Sequence, residues 1–125
     1  MSLAYEMKID ITGAKSDKIQ AIAVAVGELW EFPEDQPDTF DCHRDKAVCD
    51  LEFCGDGRLC GGTAEDEMAD EIRDAVWLAN GGYCQVLVRM TYLEDLPYEE
   101  YLYTDMEYED WAEARRRMPV VRKTA

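Results

Sequence analysis

Apolar and polar residues alternate without a break from Tyr5 to Thr12, YEMKIDIT. A period of two belongs to an extended chain, so this stretch predicts a strand with Tyr5, Met7, Ile9 and Ile11 on its buried side. Gly13-Ala14 is expected to end it. The period then lengthens: Ile19, Ile22, Ala23, Val26, Leu29 and Trp30 fall on one stripe at helical spacing, which predicts a helix capped by Ser16 and running to about Glu31. Pro33 and Pro37, in EFPEDQPD, close that helix and form a loop.

From Thr39 the period returns to two. Phe40 and Cys42 are expected on one face, followed by a turn near Arg44-Asp45-Lys46, then Cys49, Leu51 and Phe53 on one face with Asp50 and Glu52 opposite. With a short turn, parity places Cys42 near Cys49 and Phe40 near Leu51 across a hairpin, so both strands share an apolar side. FCGDGRLCGG, residues 53–62, follows and reads as a glycine-rich connector.

Thr63 is the expected cap of a second helix with Glu65, Asp66 and Glu67 in its first turn, where the helix dipole favours carboxylates. Its buried stripe is read as Met68, Ile72, Ala75, Val76 and Ala79, and Asn80-Gly81-Gly82 is a stop signal. The strongest strand pattern spans Tyr83 to Leu93, with Cys84, Val86, Val88, Met90 and Tyr92 on one side, and Pro97 breaks it. Tyr98 to Tyr103 reads as a short edge strand, and Thr104-Asp105-Met106-Glu107 as a capping box opening a helix that carries Tyr108 and Trp111.

The order β-α-β-β-α-β with a strand and helix appended predicts an α+β fold of the ferredoxin-like split βαβ kind: a four-stranded antiparallel sheet, two helices on one face, and a C-terminal strand/helix extension. One domain is expected over residues 1–111, with residues 112–125, the basic stretch around RRRMPVVRKTA, as a frayed helical tail. At 125 residues the chain is long enough to bury a core without staples.

Charge changes this picture more than composition does. Thirteen Lys and Arg stand against 28 Asp and Glu, a net charge of −15. Residues 64–111 alone carry 14 acidic and 2 basic groups, whereas residues 112–125 carry 1 and 5. Nucleic-acid binding draws on cations that displace condensed counterions, so a body this acidic is expected to bind neither nucleic acid directly nor an anionic membrane. A basic protein is the partner that the charge favours, and homodimerisation is compatible with it. No apolar run approaches the length of a membrane span, and MSLAYEMKID lacks a signal-peptide pattern, so a cytoplasmic location is expected. The five cysteines, an odd number, are then expected as free thiols.

GGTAEDEMADEIRDAVWLANGGYCQVLVRMTYLEDLPYEEY, residues 61–101, resembles a pattern in short acidic bacterial and prophage-encoded proteins of unknown role. There a Gly-Gly start, an acidic helix ending in Trp-x-x-Asn-Gly-Gly, and a strand running into Tyr-Leu-Glu-x-Leu-Pro-Tyr-Glu-x-Tyr recur. The resemblance covers about a third of the chain. It implies a small accessory protein, and it supplies no catalytic residue or cofactor.

Candidate chemistry is sparse. Cys42, His43, Cys49, Cys54 and Cys60 provide enough metal ligands, and the set Cys42, His43, Cys54, Cys60 is the one a metal site would use. Yet the intervals Cys42-x6-Cys49-x4-Cys54-x5-Cys60 contain no CxxC, and Cys49 and Cys54 are expected on opposite sides of one strand, so no metal is assigned. Adjacent Cys42 and His43 point apart and form no nucleophilic dyad. Gly55-x-Gly57-x-x-x-Gly61-Gly62 matches no phosphate-binding fingerprint, leaving Arg58 as the one anion-binding candidate. No catalytic residue is assigned, and enzymatic activity is not expected.

Three functions remain in order. The first is a non-catalytic protein-binding or accessory module that presents Glu65, Asp66, Asp70, Glu71 and Asp74 on one helix beside Tyr98, Tyr101, Tyr103 and Trp111. The second is a small-ligand-binding or regulatory ferredoxin-like domain using a sheet face that bears Lys8, Gln85, Arg89 and Thr91, alone or as a homodimer. The third is a metal-binding protein using Cys42, Cys49, Cys54 and Cys60.

Overall fold

The computed structural model describes residues 3–43, 47–59, 64–93 and 99–117. It has an α+β architecture: strands β1 (Leu3–Lys15), β2 (Asp38–His43), β3 (Val48–Leu59), β4 (Gln85–Tyr92) and β5 (Glu99–Tyr103), with helices α1 (Ile19–Gly27), α2 (Glu65–Asn80) and α3 (Asp105–Arg117). The strands form one antiparallel sheet in the order β2-β3-β1-β4-β5. Five strands, not four, share this sheet, because β5 pairs with β4 from Val86↔Tyr103 to Met90↔Glu99 and becomes its edge.

The core lies on one face, as period-two alternation requires. Tyr5, Met7, Ile9 and Ile11 of β1, Leu51 and Phe53 of β3, and Val86, Val88 and Met90 of β4 are buried beneath Ile22 and Val26 of α1 and Ala69, Ile72, Val76 and Trp77 of α2. β1 does not stop at Gly13. A bulge between Ile11 and Ala14 puts Gly13 at φ 79°, a conformation that glycine tolerates, and its N–H donates to Asp50 Oδ1 at 3.0 Å. Pairing then resumes, with Ala14 buried.

Three local expectations need correction. Ser16 opens a single 3-10 turn (Ser16–Lys18) and makes no side-chain cap, and α1 ends at Gly27 rather than Glu31. Trp30 lies beyond the helix yet is buried. In the hairpin, an irregularity between Phe40 and His43 pairs Thr39 with Leu51 and Phe40 with Asp50, so Phe40 turns away from the core and is 48% exposed.

The glycines of FCGDGRLCGG are not a connector as far as Leu59. Gly55 and Gly57 lie inside β3, opposite Met7 and Tyr5. A Cβ on Gly57 would fall 2.7 Å from the Trp30 ring, and one on Gly55 2.5 Å from the Glu31 carbonyl oxygen. Their missing side chains let the segment after α1 lie on the strand, where Trp30 Nε1 donates to the Gly55 carbonyl at 2.9 Å. Cys60, Gly61, Gly62 and Thr63 fall outside the described residues, and Ala64 occupies the cap position of α2.

The second half follows the pattern more closely. Gly81, left-handed at φ 70°, ends α2 and donates to the Trp77 carbonyl. Asn80 is fully buried: its Oδ1 accepts from the Lys15 N–H at 2.8 Å and its Nδ2 donates to the Gly82 carbonyl at 3.0 Å, joining the end of β1 to the α2–β4 turn. At the start of α3 the Glu107 carboxylate accepts from both the N–H and the hydroxyl of Thr104, which supplies the carboxylate half of the capping box that TDME predicts. These bonds favour the charged carboxylate and hold its pKa below the usual range. α3 continues through Arg117, so residues 112–117 belong to the same helix as Tyr108 and Trp111.

Candidate functional site

α2 presents six carboxylates and one arginine, and three of the carboxylates are bound within the fold. Asp70 accepts from Tyr103 Oη at 2.9 Å, and Asp74 accepts from Trp111 Nε1 and from Arg73, each at 2.8 Å. Glu65 accepts from Tyr5 Oη at 2.7 Å, while its second oxygen is buried without a hydrogen-bond partner among the described residues. Asp66 and Glu71 face solvent. Five further carboxylates on α3, Asp105, Glu107, Glu109, Asp110 and Glu113, extend the charge.

Beneath these groups lies an aromatic cluster. Trp77, 1% exposed, has Tyr108 and Trp111 edge-on at 5.0 and 5.2 Å and Tyr103 at 6.3 Å, and donates from Nε1 to the Cys84 carbonyl. Tyr83 meets Tyr108 at 5.6 Å, and Arg73 stacks over Tyr103 at 5.1 Å. Edge-to-face pairs put positive ring edges on negative faces, which adds orientation to the area buried. Tyr103 and Trp111 therefore anchor the helical layer from inside, and Tyr101 is half-buried on the same face. Tyr98 lies outside the described residues. Burial raises the hydroxyl pKa of Tyr103, Tyr83 and Tyr5, the last to about 12; Asp70 adds to the shift at Tyr103 and Glu65 to that at Tyr5.

The opposite face of the sheet is largely polar, although Leu87, Leu102 and Phe40 also lie on it. Cys54, Lys8, Arg89 and Glu100 form one row across β3, β1, β4 and β5. Two cations directly opposite one another repel, and the face answers with Glu52 at 3.7 Å from Lys8 and Glu100 at 2.9 Å from Arg89. Gln85 and Thr91 share this face. α3 packs on the helical side, and no other described element covers the polar one. Arg58, near the end of β3 opposite Ala4, already takes part in an interaction within the chain.

The cysteines depart from the free-thiol expectation. Cys42 and Cys49 form a disulfide across the hairpin, with Cα atoms 4.1 Å apart. Parity across the hairpin places the two residues together, whereas the odd number of cysteines gives no sign of the bond. Cys49 faces the core while Cys54 faces the polar side, so the two cannot share a tetrahedral centre. Cys60 and the His43 side chain lie outside the described residues, and among those described no three His, Cys, Asp or Glu side chains converge as a metal site would need. Cys54 and Cys84 are free thiols whose pKa values burial raises, that of Cys84 to about 12. A groove of about 300 Å³ beside α1 has Val24, Glu31, Phe32, Glu34 and Phe53 among its lining.

No protein-family model matches this chain, and no characterised protein or solved structure is similar to it. Among the described residues, no helix is long and apolar enough to cross a membrane.

Proposed function

We propose that this chain is a non-catalytic protein-binding module that engages a basic partner through the carboxylates of its helical layer. One observation carries this reading: Asp66 and Glu71 are exposed on α2, and Asp70 and Asp74 are only partly withdrawn by their bonds, so charge is displayed on a helix that the aromatic cluster holds still. A rigid display loses little conformational freedom on docking. Glu65 supports the platform more than the contact, because Tyr5 holds it. Tyr103 and Trp111 take the same supporting role through Asp70 and Asp74. The ferredoxin-like reading of the fold belongs here too, and the order β2-β3-β1-β4 with antiparallel neighbours supports it, β5 being an addition at one edge.

The test is titration with a lysine- and arginine-rich peptide at increasing salt. Reversing Asp66 and Glu71 to lysine is expected to weaken binding by about tenfold or more, and salt to weaken it progressively. E6K/D10K, on the opposite face of the sheet, should cost much less. Equal losses from both pairs would mean that only net charge acts, and the proposal would be abandoned.

A second reading, a small-ligand domain, is favoured by the polar sheet face that no described element covers, with Lys8, Gln85, Arg89 and Thr91 upon it. It ranks lower because Lys8 and Arg89 already face Glu52 and Glu100.

A further inference from the structure

The hairpin disulfide joins two sulfurs in unlike surroundings. Cys42 is exposed on β2, an edge strand; Cys49 is 4% exposed and faces the core from β3, opposite Ala14. Ser16 Oγ stands 3.4 Å from Cys49 Sγ. A disulfide sulfur has no proton, so the serine hydroxyl is the donor.

Thiol–disulfide exchange proceeds by attack of a thiolate on one sulfur as the other leaves, and access decides which is attacked. An incoming thiolate reaches Cys42 from solvent, whereas the core blocks the approach to Cys49. The Ser16 hydroxyl sits where negative charge gathers on the departing Cys49 sulfur. Access and leaving-group stabilisation therefore select the same direction. The free thiols described are poor competitors from within, since Cys54 faces the polar side of the sheet and Cys84 is buried, and burial raises the pKa values of both and lowers their thiolate fraction.

We propose that the Cys42–Cys49 disulfide is a thiol-exchange site for a low-molecular-weight thiol, Cys42 being the sulfur attacked and Cys49 the sulfur released. In the step, the external thiolate forms a new S–S bond to Cys42 as the Cys42–Cys49 bond breaks. The electron pair of that bond stays on Cys49, which takes a proton from solvent. The external thiol is oxidised to a mixed disulfide, and Cys49 is reduced. Attack by Cys49 on the mixed disulfide reverses the step, so Cys49 acts as the resolving cysteine.

The experiment treats the folded, oxidised protein with limiting reduced glutathione, quenches in acid, alkylates the freed thiol and maps both modifications by mass spectrometry. Glutathione is expected on Cys42 and the alkyl group on Cys49. S16A should slow adduct formation about fivefold, the effect of one lost hydrogen bond to the leaving sulfur, and S16T should restore it. A merely structural serine would leave the position of the adduct and the S16T rescue unlinked to rate. Glutathione on Cys49, an even mixture, no adduct on the folded chain, an S16A rate equal to that of the parent, or an oxidised protein that retains both thiols would each overturn the proposal.

Discussion

The two edges of the sheet are secured in different ways. At one edge β5, five residues long, is held by burial: Tyr103 reaches Trp77, α3 lays Tyr108 and Trp111 on the same ring, and Asp70 and Asp74 accept from the polar tips of Tyr103 and Trp111. At the other, β2 is six residues long, irregular between Phe40 and His43, with Phe40 exposed, and it is joined to β3 by a covalent bond. An edge strand pairs along one side only and gains half of the ladder available to a central strand. The missing support comes from aromatic area where a helix covers the strand, and from a cross-link at the other edge. An edge held by area should fail on truncation of one ring, and an edge held by a cross-link on reduction.

Trp77→Ala is therefore expected to have the largest effect. It removes the ring on which four aromatic partners, Tyr83, Tyr103, Tyr108 and Trp111, converge and leaves a cavity, a change that costs about 3–5 kcal/mol in cores of this kind. Chemical denaturation should show a loss of unfolding free energy of that size. W77F, which keeps a ring and loses the bond to Cys84, should fall between it and the parent. If W77A cost less than about 1 kcal/mol, the aromatic edge would not be held as described.

Breaking the other edge should cost less. The disulfide spans a sequence separation of 7, and closing so short a loop restricts the unfolded chain by about 2–3 kcal/mol. C42A/C49A and reduced parent protein should agree near that figure, with hydrogen exchange accelerated first in β2 and not in β5. Acceleration in β5 instead would mean that the two edges are not independent.

The two halves of this comparison were unequally legible in sequence. The alternation of β1 and β4 set their buried faces correctly, because a strand with one side on the core needs only local parity. Trp77 was absent from the predicted stripe because α3, nearly thirty residues further on, supplies its burial. Gly55 and Gly57 read as a connector because glycine disfavours strands, and what requires them, the Glu31 carbonyl against Gly55 and the Trp30 ring against Gly57, comes from the segment after α1. The carboxylate run on α2 was plain as charge. Which members the fold retains was not, since Tyr5, Tyr103 and Trp111 reach Glu65, Asp70 and Asp74 from remote positions. Parity found the Cys42–Cys49 pairing, and the cysteine count concealed its chemistry. No described helix spans a membrane, yet that gives no location, and the disulfide overturns the free thiols that the expected location implied.

High pH offers the mildest way to separate the edges, because among the described residues a titrating group with a raised pKa sits in only one of the two edge strands. Burial and the bond to Asp70 hold the Tyr103 hydroxyl above the usual tyrosine range, so the folded state keeps a proton that the unfolded chain releases near pH 10. Its contribution is whole below that pH and declines as the pH climbs through the folded value, the direction that linkage requires when the native state binds more protons. The β5 edge should therefore weaken above pH 10, read as a fall in the denaturation midpoint and a change in near-ultraviolet circular dichroism from Trp77 and Trp111. Tyr103→Phe removes the titrating hydroxyl together with one hydrogen bond, at a cost of about 1 kcal/mol at neutral pH. The variant should lose less stability than the parent between neutral and alkaline conditions, narrowing the gap between them. Tyr5 shares the shift, and Y5F provides the control for a central strand: it should flatten the alkaline decline while leaving the aromatic dichroism of the β5 edge in place. A parent and Y103F that decline in parallel would place the alkaline weakness elsewhere and remove Tyr103 from the account of that edge.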